Sequence, residues 1–203
     1  DSKLYTEKNA PLLAQLPFLT RIPESLQVAQ QVIQQAWAWN HWQPLEENYR
    51  FQRIDMGHYG IEQRWLVVTS QTGWQQAEEA VTKAQEKEQK AIQKQLYHLQ
   101  AQRFHSEEEA HASLDRLARK WTYHQVHHTT CISHLHYAHK GRPTPDTPLK
   151  AIDWQLQVTV GADPEKRRAQ QQRKACFVLG TSIDAEAVED EEILPNYKGQ
   201  GTA

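Results

Sequence analysis

The chain has 203 residues, with 23 lysines and arginines against 25 aspartates and glutamates, so its formal net charge is −2. This balance gives no global electrostatic argument for binding to nucleic acid or to a membrane surface. The longest unbroken apolar run covers residues 175–179, far fewer than the ~20 residues that a bilayer span needs. The two cysteines, Cys131 and Cys176, form no disulfide framework, which favours a reducing, cytoplasmic setting without a membrane partner.

The first forty residues predict two helices with a strand between them. Thr6 is a suitable N-cap for a short helix over residues 7–16. Residues 18–22 are mostly apolar and are bounded by prolines, which predicts a short buried strand. Residues 24–39 carry an apolar stripe at helical spacing. Helix, strand and helix in this order are typical of an α/β arrangement.

The middle of the chain predicts a hairpin and a helical arm. Residues 49–56 and 61–69 are two strand-like segments separated by a turn that contains glycine. Residues 74–103 lack both glycine and proline and are rich in Ala, Gln, Glu and Lys, which predicts a long helix. Ser106 is placed to cap a second helix over residues 107–121. Two helices joined by a short break favour an antiparallel arm.

The last third predicts two polar strands, a basic helix and a buried strand. Residues 123–139 and 149–160 are the polar strands, and a Gly-Arg-Pro turn lies between them. A short basic helix is expected to begin at Asp163. Residues 175–181 are strongly apolar and predict a buried strand.

Two basic features are chemically able to contact DNA phosphates. Arg142 lies in the Gly-Arg-Pro turn, a context that can place an arginine in a narrow minor groove. Residues 163–174 hold five basic residues against two acidic ones, a local net charge of +3, and they include Arg167, Arg168 and Lys174. A plain surface turn and a solvated helix face are the alternatives at these two places.

A run of histidines invites a metal-site interpretation. Six histidines lie between His124 and His139, with Cys131 among them, and His134 and His136 would share one face of a strand. Zinc ligands usually come as paired clusters of Cys and His, and the sequence shows no partner cluster. A polar strand in a histidine-rich chain is the favoured interpretation, and a metal-binding protein is the weaker alternative.

Seven short motifs occur in an order that carries a family resemblance. They are Asp-Ser-Lys-Leu-Tyr-Thr (1–6), Phe-Leu-Thr-Arg-Ile-Pro-Glu (18–24), Tyr-Gly-Ile-Glu-Gln-Arg-Trp (59–65), Gly-Arg-Pro (141–143), Phe-Val-Leu-Gly-Thr (177–181), Glu-Glu-Ile-Leu (191–194) and Tyr-Lys-Gly-Gln (197–200). In this order and spacing, the chain resembles a DDE-type insertion-sequence transposase with a ribonuclease-H-like catalytic core. No single motif is highly specific, and the resemblance runs over nearly the whole chain.

The resemblance implies an α/β plus α+β fold, in which a partial ribonuclease-H-like core is interrupted by a large insertion. Residues 1–40 would belong to the core and residues 41–175 to the insertion. The insertion would contain the β-hairpin, a helical arm over residues 72–121 and a strand pair over residues 123–160. Residues 176–203 would return toward the core. The core strands that should flank residues 18–22 are missing from this chain, so we expect this strand to expose apolar surface.

In that family two aspartates and one glutamate hold two Mg²⁺ ions for phosphoryl transfer. Asp1 matches the second aspartate and is therefore the predicted catalytic and metal-binding residue. The first aspartate would precede Asp1, and the glutamate would fall seven residues after Tyr197, beyond the last residue given. We therefore expect this chain by itself to be inactive in cutting and joining DNA.

The partners implied are double-stranded DNA, as transposon inverted repeats and as target, and a second copy in a homodimeric synaptic complex at the bacterial nucleoid. Tyr197 would lie near the DNA backbone. Gln200 stands where many relatives carry arginine, so a neutral amide replaces a charge. Trp65, Trp121 and Trp154 are able to stack on a flipped base, although a core position is favoured for each. The alternative function is a truncated DNA- or protein-binding inhibitor of transposition without catalysis.

Overall fold

The computed structural model describes residues 5–138 and 142–200, and Asp1, the predicted catalytic residue, lies outside them. The residues of the chain fall into two compact units, each with more contacts inside it than to the other. The first unit comprises Asp1–Ala80 and Ala169–Ala203, and the second comprises Val81–Arg168. No helix among the described residues is long and apolar enough to cross a bilayer.

Helices and strands occur in both units, which confirms the mixed α/β content expected from the sequence, whereas the ribonuclease-H-like core stays a prediction. In chain order the elements are α1 (Ala10–Leu13), β1 (Leu19–Ile22), α2 (Gln27–Trp39), β2 (Gln43–Pro44), β3 (Tyr49–His58), β4 (Ile61–Ser70), α3 (Gln71–Ala101), α4 (Glu107–Ala118), β5 (His124–Tyr137), β6 (Leu149–Ala162), α5 (Pro164–Ala175), β7 (Cys176–Thr181) and α6 (Asp190–Gly199).

A five-stranded sheet with antiparallel pairing throughout is the centre of the first unit, in the order β1-β7-β4-β3-β2. Strands β3 and β4 form a hairpin joined by two residues, Tyr59 and Gly60, whose φ angles of 55° and 74° are both positive. Positive φ at both central residues is typical of a type I′ turn, whose twist matches that of the flanking strands. By these contacts the hairpin belongs to the first unit, while its assignment to an insertion stays a prediction.

The expectation that the strand over residues 18–22 exposes apolar surface is wrong. Strand β1 pairs along its length with β7, with Leu19 opposite Thr181 and Ile22 opposite Val178. The side chain of Ile22 is only 1% exposed. The physical reason is that pairing with β7, from the far end of the sequence, places β1 in the sheet, where Ile22 packs into the core shared with α2.

The sheet of the first unit packs apolar side chains on both faces. Trp65 and Val67 of β4 point into a core shared with α2, and Leu66 and Val68 point into a second core shared with α6. Side chains of a strand alternate between faces, so a strand covered on both sides is apolar at every position. This explains the unbroken apolar run Trp-Leu-Val-Val in β4.

The short helical segment near the start departs from its prediction. It consists of a 3-10 turn over Glu7–Asn9 followed by α1, rather than one helix over residues 7–16. Thr6 precedes the turn, but its side chain makes no capping hydrogen bond. A proline near the start of α1 fits its first turn, where the missing N–H costs nothing.

The second unit packs helices against a long two-stranded ribbon. Strands β5 and β6 form this antiparallel ribbon, and Leu156 of β6 is buried against side chains of α3 and α4. The predicted cap of α4 is present, because the Ser106 hydroxyl accepts a hydrogen bond from the Glu109 N–H. Beyond the helices the ribbon exposes Leu135 and Ile152, which lie opposite each other in the register.

Glu88 joins α3 to the beginning of the ribbon. Its carboxylate accepts hydrogen bonds from the backbone N–H groups of Thr122 (2.6 Å) and Tyr123 (2.8 Å), and it lies 2.7 Å from Nδ1 of His124. Burial acts to raise the pKa of Glu88, but the hydrogen bonds from His124 and from the two backbone amides outweigh it and lower the pKa. The charged carboxylate is therefore the form that fits this position.

A substitution at Gly180 of β7 tests how tightly side chains of β1 and β4 pack against this strand. A Cβ atom at this position would lie 2.5 Å from Cδ1 of Ile22 and 3.2 Å from Nε1 of Trp65. We predict that Gly180→Ala lowers the free energy of unfolding by about 1–3 kcal/mol, because an overpacked core must shift to accept a methyl group. Gly199→Ala is the control, since nothing lies within 4 Å of its added Cβ. Urea unfolding midpoints measure both, and equal midpoints for the two variants would contradict this packing.

Candidate functional site

The motifs that carry the family resemblance meet one another in the first unit, apart from Gly-Arg-Pro, which belongs to the second. The earliest described residue, Tyr5, contacts the hairpin motif, and β1 pairs with β7. The hairpin motif in turn binds the segment before α6, and the first residue of that helix, through Arg64. The structure thus gathers segments that are far apart in the sequence onto one sheet, with the Tyr5 contacts on the α2 face and the Arg64 contacts on the α6 face.

Tyr5 is fixed by a buried hydrogen-bond network. Its hydroxyl donates to Oε1 of Gln63 at 2.9 Å and lies 2.8 Å from Nδ1 of His58. The single hydroxyl proton goes to Gln63, so Nδ1 of His58 carries a proton and donates to the Tyr5 oxygen. Gln63 also accepts from Nε1 of Trp65 and donates to the backbone carbonyl of His58. The Tyr5 hydroxyl, the Gln63 amide and Nε1 of Trp65 therefore each have a partner in this apolar surrounding.

The network lies among aromatic rings that shift the pKa values of its members. The ring of Tyr5 stacks on His58 at a centroid distance of 5.7 Å and meets the edge of Trp65 at 6.2 Å. Burial raises the pKa of Tyr5 to about 12, and burial lowers the pKa of His58. Neutral Tyr5 and neutral His58 are the forms that this site favours.

Arg64 holds the segment that leads from β7 to α6. Its guanidinium pairs with the carboxylate of Asp190 and donates to the backbone carbonyls of Ile183 and Val188. Arg64 is 6% exposed, so these acceptors replace the water that a buried cation loses. Arg53, on the neighbouring strand, reaches the same carboxylate at 3.4 Å. The start of α6 is thereby attached to the sheet.

Helix α6 and the residue directly after it include two of the predicted DNA-contacting residues. Glu189 and Glu192 form a capping box at its beginning, and Ile193 and Leu194 are buried against the sheet. Tyr197 is half-buried and packs beside this core. Gln200 follows the helix directly and is exposed. The ring of Tyr197 thus has a packing role, and the amide of Gln200 is accessible to a partner.

The predicted basic residues occupy different surroundings. Arg142, Arg168 and Lys174 are exposed. The guanidinium of Arg167 instead donates to the side chains of Gln85 at 3.0 Å and Thr82 at 2.9 Å on α3. These bonds give Arg167 a structural role, and contact with DNA at all four residues stays a prediction.

The three tryptophans that could stack on a flipped base are mostly in cores. Trp65 is 0% exposed and Trp121 is 7% exposed. Trp154 is partly buried, and its backbone pairs with that of Phe104. A core position is therefore confirmed for Trp65 and Trp121, which leaves Trp154 as the more accessible ring.

The histidines of β5 are not gathered into one metal site. His134 pairs with Gln155 at 2.9 Å and His136 pairs with Asp153 at 2.7 Å. His139 lies outside the described residues. His134 and His136 thus each have a partner across the ribbon, which agrees with the interpretation of a polar strand.

Cys131 has a different neighbourhood, which the sequence did not predict. Its Sγ lies 3.6 Å from Nε2 of His111, and the same Nε2 lies 3.6 Å from Oε1 of Glu107. In the part of the chain that the structure describes, this is the one group of three or more His, Cys, Asp or Glu residues with metal-ligand spacing. Burial, followed by the charge of Glu107, raises the pKa of the Cys131 thiol. The sequence feature that could have indicated part of this group was the i,i+4 spacing of Glu107 and His111.

Mg²⁺ does not suit this group, because it prefers oxygen ligands over thiol and imidazole. The predicted Mg²⁺ ligand, Asp1, offers the appropriate carboxylate chemistry but lies outside the described residues. A magnesium site at Asp1 thus rests on the resemblance.

No protein-family model, curated protein or solved structure matches the chain. The resemblance to a DDE-type transposase therefore stays a prediction from the order of the motifs.

Tyr5→Phe tests the buried network. We predict a loss of about 1–2 kcal/mol in the free energy of unfolding, because the Nδ1–H donor of His58 is left unpaired. Tyr97→Phe is the control, since Tyr97 is 74% exposed and should change stability little. Urea unfolding at pH 7 measures both variants, and equal midpoints for the two would contradict a structural role for the Tyr5 hydroxyl.

The Tyr5→Phe variant also gives a pH test. The pKa of Tyr5 is about 12 in the folded chain against an ordinary value of 10.0 for tyrosine, so its contribution is complete below pH 10 and is lost as the pH rises toward 12. Denaturant unfolding between pH 9 and pH 12 should show a decline, measured against Tyr5→Phe, of roughly 2–3 kcal/mol. Parallel stability curves for the wild type and Tyr5→Phe would contradict burial of the neutral phenol.

Proposed function

We propose that the chain is part of a DDE-type transposase and that it binds the double-stranded DNA of transposon ends. The observation that carries the proposal is the convergence of the resembling motifs in the first unit. Tyr5 bonds to Gln63, β1 pairs with β7, and Ile193 and Leu194 pack in one core with Leu179. Motifs that act together in one enzyme are expected to meet in space, and these motifs do so although up to 163 residues separate the paired groups.

The role proposed for the first unit is to present α6 to DNA. The helix is held at its start by Arg64 and along one side by the buried pair Ile193 and Leu194. Its last turn carries Lys198, whose Nζ lies 4.4 Å from the centroid of the Tyr49 ring. The exposed amide of Gln200 follows and can donate to a phosphate oxygen or to a base. A helix fixed at one end holds such groups at a defined position.

The chemistry proposed for the intact enzyme is phosphoryl transfer. Mg²⁺ bound with the help of Asp1 would supply Lewis-acid stabilisation of charge on the phosphate. The 203 residues contain one of the three carboxylates that the resemblance requires. We therefore expect the polypeptide of these residues to bind DNA without cutting it, with or without added Mg²⁺.

Exposed cations supply the proposed phosphate contacts. Arg142, Arg168 and Lys174 are exposed, and each phosphate neutralised by a cation adds about −0.9 to the slope of log affinity against log salt concentration. Arg167 is assigned a positioning role, because Gln85 and Thr82 hold its guanidinium. The slope of log affinity against log salt concentration should therefore depend on Arg142, Arg168 and Lys174, and not on Arg167.

Fluorescence anisotropy with a labelled duplex tests this assignment between about 50 and 200 mM salt, a range over which the phosphate term changes strongly. Replacement of Arg142, Arg168 and Lys174 by alanine should weaken binding and reduce the magnitude of the slope by about 2–3. The control replaces Lys83, Lys87 and Lys90 of α3 by alanine, which removes the same charge from another surface.

An unchanged or only slightly reduced slope in the α3 control would support the assignment. Equal losses in both triple variants would show that only net charge matters, and salt-independent or absent binding would overturn the proposal. Mg²⁺-dependent nicking by the purified chain would contradict the expected lack of catalysis.

A further inference from the structure

Three side chains of different chemistry meet between α4 and the ribbon of the second unit. Glu107 and His111 lie one helical turn apart, so both project from the same face of α4. Cys131 comes from β5, where it lies opposite Leu156, a fully buried residue of the core that contains α4 side chains. The three ligand atoms all lie within 4.8 Å of one another.

Two of the three distances between the ligand atoms fit the edges of a tetrahedral zinc site. With Zn–S of about 2.3 Å and Zn–N of about 2.0–2.1 Å, the sulfur and nitrogen ligands of a tetrahedron lie about 3.6 Å apart. Sγ of Cys131 lies 3.6 Å from Nε2 of His111. Oε1 of Glu107 also lies 3.6 Å from that nitrogen, near the ~3.3–3.4 Å edge that a carboxylate ligand gives. The third pair, Sγ of Cys131 and the Glu107 carboxylate, lies within 4.8 Å, and rotation of the exposed Glu107 side chain can adjust this spacing.

We propose that Glu107, His111 and Cys131 bind one Zn²⁺ ion that links α4 to β5. A thiolate, an imidazole and a carboxylate form a donor set that suits zinc and does not suit Mg²⁺. Three protein ligands leave one tetrahedral position for water, which can reach the ion because Glu107 is exposed. On binding, the thiol of Cys131 becomes a thiolate and releases its proton to solvent.

This site is separate from the proposed transposase function. All three ligands belong to the second unit, whereas the converging motifs belong to the first. It also differs from the metal-site interpretation of the histidine run, because His134 and His136 are paired with Gln155 and Asp153. Of that run, only Cys131 contributes a ligand.

Titration of the reduced 203-residue protein with Co²⁺ tests the site directly. Co²⁺ replaces Zn²⁺ in such sites, and a bound thiolate gives a charge-transfer absorption band in the near ultraviolet. We expect this band to saturate at one equivalent and to disappear when Zn²⁺ is added. Cys131→Ser should abolish the band, and Cys176→Ser should retain it, since Cys176 is buried in the first unit.

Variants of the remaining ligands complete the test. Glu107→Gln and His111→Asn should each weaken Co²⁺ binding by at least about tenfold, the size of loss typical of altered metal-site residues. The double variant His134→Gln with His136→Gln is the matched control and should bind like the wild type. If the control loses binding while His111→Asn keeps it, the assignment to this cluster is wrong.

Alkylation of the wild-type protein provides a measurement that needs no variant to fold. Zn²⁺ should slow the reaction of iodoacetamide at Cys131, identified by peptide mass, by at least about tenfold, because a metal-bound thiolate is withdrawn from attack. An unchanged rate at Cys131 in excess Zn²⁺, or a Co²⁺ titration of the reduced protein without a thiolate band, would overturn the proposal.

Discussion

The buried guanidinium of Arg64 is the constraint on which the candidate site depends. A cation removed from water must find acceptors, because an unpaired buried charge costs several kcal/mol. Arg64 finds them in Asp190 and in the backbone carbonyls of Ile183 and Val188. These acceptors attach the chain between β7 and α6 to the hairpin, and the capping box of Glu189 and Glu192 begins α6 there.

The sheet of the first unit carries Arg64 on its central strand β4. Its central strands β4 and β7 are covered by apolar side chains on both faces, with α2 on one face and α6 on the other. Tyr5 adds a second attachment on the α2 face through Gln63 and His58. The segments that resemble a transposase are thus held together by two buried polar networks and by strand pairing. This convergence is why a DNA-processing role is the function we favour.

Local patterns in the sequence predicted most helices and strands, because helical stripes and strand-like runs depend on neighbouring residues. The long helix α3, the hairpin and the cap at Ser106 all belong to this class. Long-range partners could not be predicted in the same way. The pairing of β1 with β7 and the approach of His111 to Cys131 depend on tertiary packing, which no local period encodes. The histidine run was interpreted as a polar strand, and His111 comes from α4, which no local pattern connects with Cys131 of β5.

Photo-crosslinking from the end of α6 tests the central claim most directly. A photoreactive amino acid would replace Gln200 in one protein and Tyr97 of α3 in another, both exposed positions. Each protein would be irradiated with a labelled duplex at low salt. The account predicts a crosslink to DNA from position 200 and little or none from position 97. Equal crosslinking from both positions, or crosslinking from position 97 alone, would contradict a DNA-facing role for α6.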